Sequence, residues 1–223
     1  MSAGRVTSKD FVRELARLRQ ELQAPLPMRM VFALAKNHMA MEPAEIEVLL
    51  DDADHDRRVG AVSIMDFQAR SGRTSEERRQ ALYDLYLRRH DRIDTWDLVD
   101  RSAPWVVGGY LHTRSREPLY RLARSERWFE RRTAIVATYH FIRQGDVGDT
   151  FGIAELLADD PHDLVQKAVG GWVREAGKRD ADRLHRFLDG HAATMPRTAL
   201  RYAVEHLDPD LRRHYLGLRA SRE

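Results

Sequence analysis

Apolar side chains recur every three or four positions along the chain, and no stretch alternates with the period of two that a half-buried strand requires. Residues 8–23 open on Ser8 and set Phe11, Leu15, Leu18 and Leu22 on one face ahead of Pro25 and Pro27, which predicts an amphipathic helix. Met28 to Met41 predicts a second, with Val31, Phe32, Leu34 and Ala35 apolar, Asn37-His38 near its end, and methionines that read as core filler. Glu42-Pro43 starts a short helix through Leu50, and a longer one runs from about Asp56 to Ala69 until Ser71-Gly72 stops it. Ser75-Glu76-Glu77 starts the next, which carries Leu82, Leu85, Tyr86 and Arg89. Turns at Gly108-Gly109, 115–118, 145–148, 159–161, Gly190 and Asp208-Pro209 divide the remainder. About a dozen helices joined by loops of two to six residues predict an all-α chain of antiparallel neighbours.

The pattern also repeats on a longer scale. Aligning Ala61-Val62, Ala134-Ile135 and Ala168-Val169 brings His55, Trp128 and His162 into one column, and Arg197-Thr198-Ala199-Leu200 echoes Arg132-Thr133-Ala134-Ile135. The intervals are 73, 34 and 31 residues, the first about twice a helix-pair repeat, with its midpoint at Leu98. This predicts a HEAT-like or armadillo-type α-solenoid, a single domain over 1–223, in which the second helix of each pair lines a concave face. The second helices are those beginning near Asp94, Trp128 and His162. Trp96, Asp100, Arg131, Arg132, Gln166 and Lys167 are candidates for that face.

Composition narrows the chemistry. The net charge is only +2 at a pI near 9.0, and the basic residues are nearly all arginine, lysine being confined to Lys9, Lys36, Lys167 and Lys178. Arginine suits bidentate phosphate recognition, although arginine-favouring codon usage gives the same composition. Without cysteine there is no thiolate metal site, and no apolar run has membrane-spanning length. The cytoplasm is the expected compartment. Neither Gly108-Gly109 nor Gly170-Gly171 fits a phosphate-binding loop, the histidines lack zinc-ligand spacing, and no Gly-x-Ser-x-Gly elbow is present, so neither metal nor cofactor is expected.

One stretch, residues 93–105, is not explained by core packing. Trp96 and Asp100 lie four residues apart, one turn on the same helical face. Asp94 or Thr95 can cap the helix and Asp97 can face its first amides. Asp100 lies past the reach of capping, four residues before Pro104, whose ring would clash with the Asp100 carbonyl and bend the helix. A surface aspartate paired with Arg101 or another arginine is the plainer alternative.

Five blocks carry a resemblance: Trp96-Asp97-Leu98-Val99-Asp100, residues 130–136 (Glu-Arg-Arg-Thr-Ala-Ile-Val), 162–170 (His-Asp-Leu-Val-Gln-Lys-Ala-Val-Gly), 174–180 (Arg-Glu-Ala-Gly-Lys-Arg-Asp) and 195–203 (Met-Pro-Arg-Thr-Ala-Leu-Arg-Tyr-Ala). In order and at consistent spacing, they make residues 45–217 resemble the AlkD-type DNA alkylation repair family, HEAT-like glycosylases that excise cationic alkylated purines such as 3-methyladenine and 7-methylguanine. Residues 1–44 match least. The resemblance implies double-stranded DNA carrying alkylated bases as substrate, no obligate protein partner, and a surface that holds the duplex without a base pocket. Trp96 matches the family's sugar-contacting tryptophan, Asp100 its catalytic aspartate and Arg132 the arginine that approaches the DNA backbone. Two departures stand out. After the Lys167-Ala-Val-Gly170 run the family usually has a second functional tryptophan, whereas this chain has Gly171 and then Trp172, a shift of about 100° on a helix. Phe129 stands where the family often has tryptophan, with Trp128 one place earlier.

The implied activity is a monofunctional N-glycosylase with Asp100 and Trp96 at the sugar and Arg131, Arg132, Gln166, Lys167 and Trp172 on the DNA. The alternatives are a non-catalytic HEAT-like module for bent or branched DNA, and an α-solenoid protein scaffold.

Overall fold

The computed structural model describes residues 6–218, and among these every regular element is helical. The chain forms two compact units that meet in sequence at Tyr110 and Leu111. The first holds α1 (Ser8–Leu22), α2 (Met28–Asn37), α3 (Pro43–Leu50), α4 (His55–Arg70), α5 (Glu76–Arg88) and α6 (Trp96–Ser102). A π-helical segment, Ala103–Gly108, follows α6 directly and runs into a three-residue turn, α7 (Gly109–Leu111). The second unit holds α8 (Glu117–Ala123), α9 (Trp128–Ala137), α10 (Tyr139–Arg143), α11 (Gly148–Leu156), α12 (Asp163–Gly177), α13 (Ala181–His191), α14 (Arg197–Ala203) and α15 (Pro209–Gly217).

The boundaries follow local chemistry. Thr7, one residue before the expected Ser8, caps α1 in a reciprocal box with Asp10, while Ser8 turns its hydroxyl to Glu45 at 2.6 Å. The α2 helix ends at Asn37, short of Met41, because His38 folds back: its ring packs edge-on against Phe11 and its Nδ1 lies 2.9 Å from the Leu34 carbonyl. Met41 is buried core, as expected of a filler methionine, but Met28 is exposed. Two expected turns are helical. Gly108 closes the π-helical segment and Gly109 opens α7, and Gly190 lies inside α13, where no turn is needed because the chain bends after His191. Gly145 does make a turn, with φ of +83°.

In the first unit α4 is the central helix, packed by α2, α3 and α6 around Val62, Met65, Leu82, Tyr86 and Leu98. In the second, α12 is central, packed by α9, α11, α13 and α14 around Ile135, Phe141, Val169, Val173 and Leu200. Gly170 permits the closest of these approaches: a Cβ there would lie 2.2 Å from the Ala199 carbonyl oxygen.

Candidate DNA-repair site

Trp96 is the first residue of α6, and its indole is 52% exposed. Asp100, half-buried, lies one turn on along the same stripe. Beside it runs a second stripe, Asp97 and Arg101, which faces α4. The Asp97 carboxylate accepts from the Thr95 hydroxyl and lies 2.7 Å from Nε2 of His55, the first residue of α4. Burial opposes its ionisation, but these two hydrogen bonds outweigh that and hold the carboxyl below the usual range. Asp97 is thus tied to a neighbouring helix as well as to its own helix start, a contact across 42 residues that spacing alone does not reveal. Arg101 is likewise engaged with α4, through Ser63 and Asp66.

The bend expected at Pro104 takes a definite form. Pro104 lacks an amide, and the helix widens over Ala103–Gly108, so that the Gly109 amide donates five residues back to the Pro104 carbonyl.

The second unit gathers four of the other sequence candidates at the N-terminal ends of α9 and α12. Arg131 is bound at Nε and Nη2 to the buried carboxylate of Asp160, at 2.5 and 3.1 Å, and donates from Nη1 to the carbonyls of Ser125 and Glu126. Arg132 is 7% exposed and donates to the Leu164 carbonyl in the first turn of α12. The Gln166 amide donates to the Asp160 carbonyl at 2.9 Å. Lys167, half-exposed, pairs with Asp163 one turn earlier at 2.6 Å, and this partner raises its pKa. Trp172 lies apart from these four. It stacks on Tyr139 with ring centroids 4.8 Å apart, beside an open cleft of about 460 Å³ lined by Tyr139, Ile142, Arg143, Glu175, Lys178 and Arg179. At Gly171 a Cβ would meet nothing within 4 Å.

Two residues that the sequence alignment set in one column touch. The His162 ring lies flat on Trp128, with centroids 4.4 Å apart and planes within 4°, while its Nδ1 accepts the Leu164 amide and caps α12. Sequence aligned these two residues but did not disclose that they touch.

The structure therefore defines an all-α protein that presents an indole and a carboxylate one turn apart on a short, anchored helix. The sequence matches the family described as DNA alkylation repair enzyme over residues 26–207, most of the chain, and the protein belongs to that family. A solved structure described as a predicted DNA alkylation repair enzyme from Enterococcus faecalis shares 16% identity, with a TM-score of 0.64 over 87% of this chain and 94% of that one. At that identity the likeness establishes the fold. No curated protein sequence matches. Among the described residues no helix is long and apolar enough to cross a membrane, and no cluster of three or more His, Asp or Glu side chains is placed to hold a metal ion.

Proposed function

We propose that the protein is a monofunctional N-glycosylase that releases cationic alkylated purines, such as 3-methyladenine and 7-methylguanine, from duplex DNA. The observation that carries this reading is the exposed indole of Trp96 one turn from Asp100, on a helix of a repair-family chain whose residues 96–100 resemble a motif of that family.

An N3- or N7-alkylated purine already carries positive charge. When its glycosidic bond breaks, the bonding pair goes to the base, which leaves neutral without a proton from the protein. Charge moves to the sugar, and water adds at C1′ and loses a proton. A fixed carboxylate serves both needs, stabilising the cationic sugar and orienting the water. Opposite charges about 4 Å apart at an effective dielectric near 20 interact by roughly 4 kcal/mol. At 1.36 kcal/mol per tenfold, Asp100 can supply on the order of a thousandfold in rate. The Trp96 ring face would add about 0.5–2 kcal/mol as sugar charge grows.

On the DNA side Lys167 is the best placed for phosphate, since Asp163 is an exposed partner on the same helix and exchanges readily with solvent and ions. Arg132 is 7% exposed and bound to the Leu164 carbonyl, so its part at the DNA backbone rests on the family resemblance alone. Arg131 we assign to the fold instead, because a buried acid and two carbonyls take its donors. No lyase step is proposed: a Schiff-base route needs an amine at the sugar, and by the family resemblance Lys167 matches a phosphate-side position rather than the Trp96 and Asp100 pair.

The test is release of free base from methylated duplex DNA, with an intact abasic strand as co-product. Gly171 and the stacking of Trp172 on Tyr139 favour a second reading, a DNA-binding module without catalysis. Duplex binding with no base release would select it, and Gly171→Trp, whose Cβ would meet no neighbour within 4 Å, would then ask whether the indole missing at 171 is the cause.

A further inference from the structure

Helix α6 has seven residues and leads straight into a widened, proline-bearing segment, so its own backbone ladder holds its rotation weakly. Its rotation decides where Asp100 is aimed. We propose that Arg101 is the positioning residue of this site, fixing the phase of α6 against α4 so that Asp100 and Trp96 are presented together. The proposal rests on the glycosylase reading for its rate measurement alone.

Arg101 is seated from several sides. Its Nε donates to the Ser63 hydroxyl at 3.1 Å, and its Nη2 lies 3.3 Å from the carboxylate of Asp66, which is wholly buried. The guanidinium lies over the rings of Phe32 and Phe67, 4.6 and 4.7 Å from their centroids. Asp66 also accepts from Arg70 Nε at 2.8 Å, and Arg70 in turn lies over Trp105 of the π-helical segment, 5.0 Å from its ring centroid. One buried acid thereby engages both α6 and the segment that follows it.

This cluster is a poor device for stability. Burial raises the Asp66 carboxyl despite the pull of Arg101 and Arg70, and burial lowers Arg101 despite the pull of Asp66, so desolvation offsets much of the attraction. What a planar guanidinium held at Nε by Ser63 and set over two rings supplies is direction. Arg101 directly follows Asp100, so any rotation that lifts Arg101 from Asp66 carries Asp100 through the same angle. At a reacting centre a misplacement of about 1 Å is enough to cost a hundredfold.

The experiment compares Arg101→Met and Arg101→Lys with Arg116→Met in the full chain. Arg116 is a fair control: it sits in the second unit, paired with Asp146 at 2.5 Å and with Asp149, and lies over Phe141 at 4.1 Å. In folded Arg101→Met, single-turnover base release should fall by about tenfold to a hundredfold with the Kd for duplex DNA unchanged, and Arg116→Met should release base normally. In an Asp100→Asn background Arg101→Met should cost nothing further. If Arg101→Met does not fold, Arg101→Lys carries the test, since it keeps the charge but loses the bond to Ser63 and the planar seat. A second readout needs no activity: in 5-fluorotryptophan-labelled protein the Trp96 resonance, identified by its loss in Trp96→Phe, should shift in the Arg101 variants and stay in Arg116→Met. Normal base release by the Arg101 variants, an additive loss with Asp100→Asn, or an unmoved Trp96 resonance overturns the proposal. Should the unmutated protein release no base, the glycosylase reading falls, and the fluorine spectrum alone decides on Arg101.

Discussion

Two tryptophans open two helices of this protein, and their surroundings differ completely. Trp128 begins α9 and carries the His162 ring flat on its face, so it serves as a joint between α9 and the capped start of α12. Trp96 begins α6 and remains half-open to solvent. The nearby histidine in the first unit, His55, binds Asp97 instead. Residue type and helix position are the same in both cases, and only the neighbour separates structural use from availability for a ligand. The cations divide similarly. Arg131 is consumed by Asp160, whereas Lys167 keeps an exposed and replaceable partner.

That contrast can be broken experimentally. The largest effect belongs to Asp100→Asn, which keeps size but removes charge: base release should fall by roughly a thousandfold while duplex affinity holds or tightens slightly, read by single-turnover kinetics and binding titration. Next is Arg131→Ala. It leaves the buried Asp160 carboxylate without its cation and should cost about 3–5 kcal/mol of stability in denaturant titration. A variant that loses DNA affinity with stability intact would return Arg131 to the phosphates.

The two indoles give the third comparison. Trp96→Ala should slow base release about twofold to thirtyfold with the melting temperature unchanged. Trp128→Ala should do the reverse, losing about 0.5–1.5 kcal/mol for the stack plus its packing, with rate retained in the folded fraction. If both act alike, the distinction between joint and open surface fails. The smallest effect concerns pH. The folded-state pKa of Asp97 is depressed, so its contribution is present above the unfolded value of about 3.9 and disappears as pH falls through the lower folded value. Asp97→Asn should therefore lose about 0.2–1 kcal/mol at neutral pH and show a flatter acid limb in melting temperature against pH.

Much of the fold was legible in the chain because helical periodicity is a local signal: α1, α3, α4 and α5 fall within a residue or two of the expected bounds. Gly108, Gly109 and Gly190 misled because glycine marks turns in isolation, while inside a packed helix its lost side chain is a tolerable cost. Trp96 and Asp100 could be singled out by spacing, whereas their supports could not. His55 lies 42 residues from Asp97, and Ser63 lies 38 from Arg101, and pairing at that range leaves no periodic trace. Arg131 is the converse case. Its type and place suggest phosphate, and its pairing with Asp160, 29 residues on, is what spacing does not disclose.

The widened turn at Ala103–Gly108 has a consequence for how the polypeptide can vary. It divides residues 96–111 into two helical phases, so no single wheel describes both sides. Removing one residue there is not equivalent to losing one side chain. It would let the segment close as ordinary α-helical turns and put residues 96–111 on one wheel. Substitutions within the segment leave that offset in place, and a deletion erases it. At this point the chain is held to a length more than to a composition.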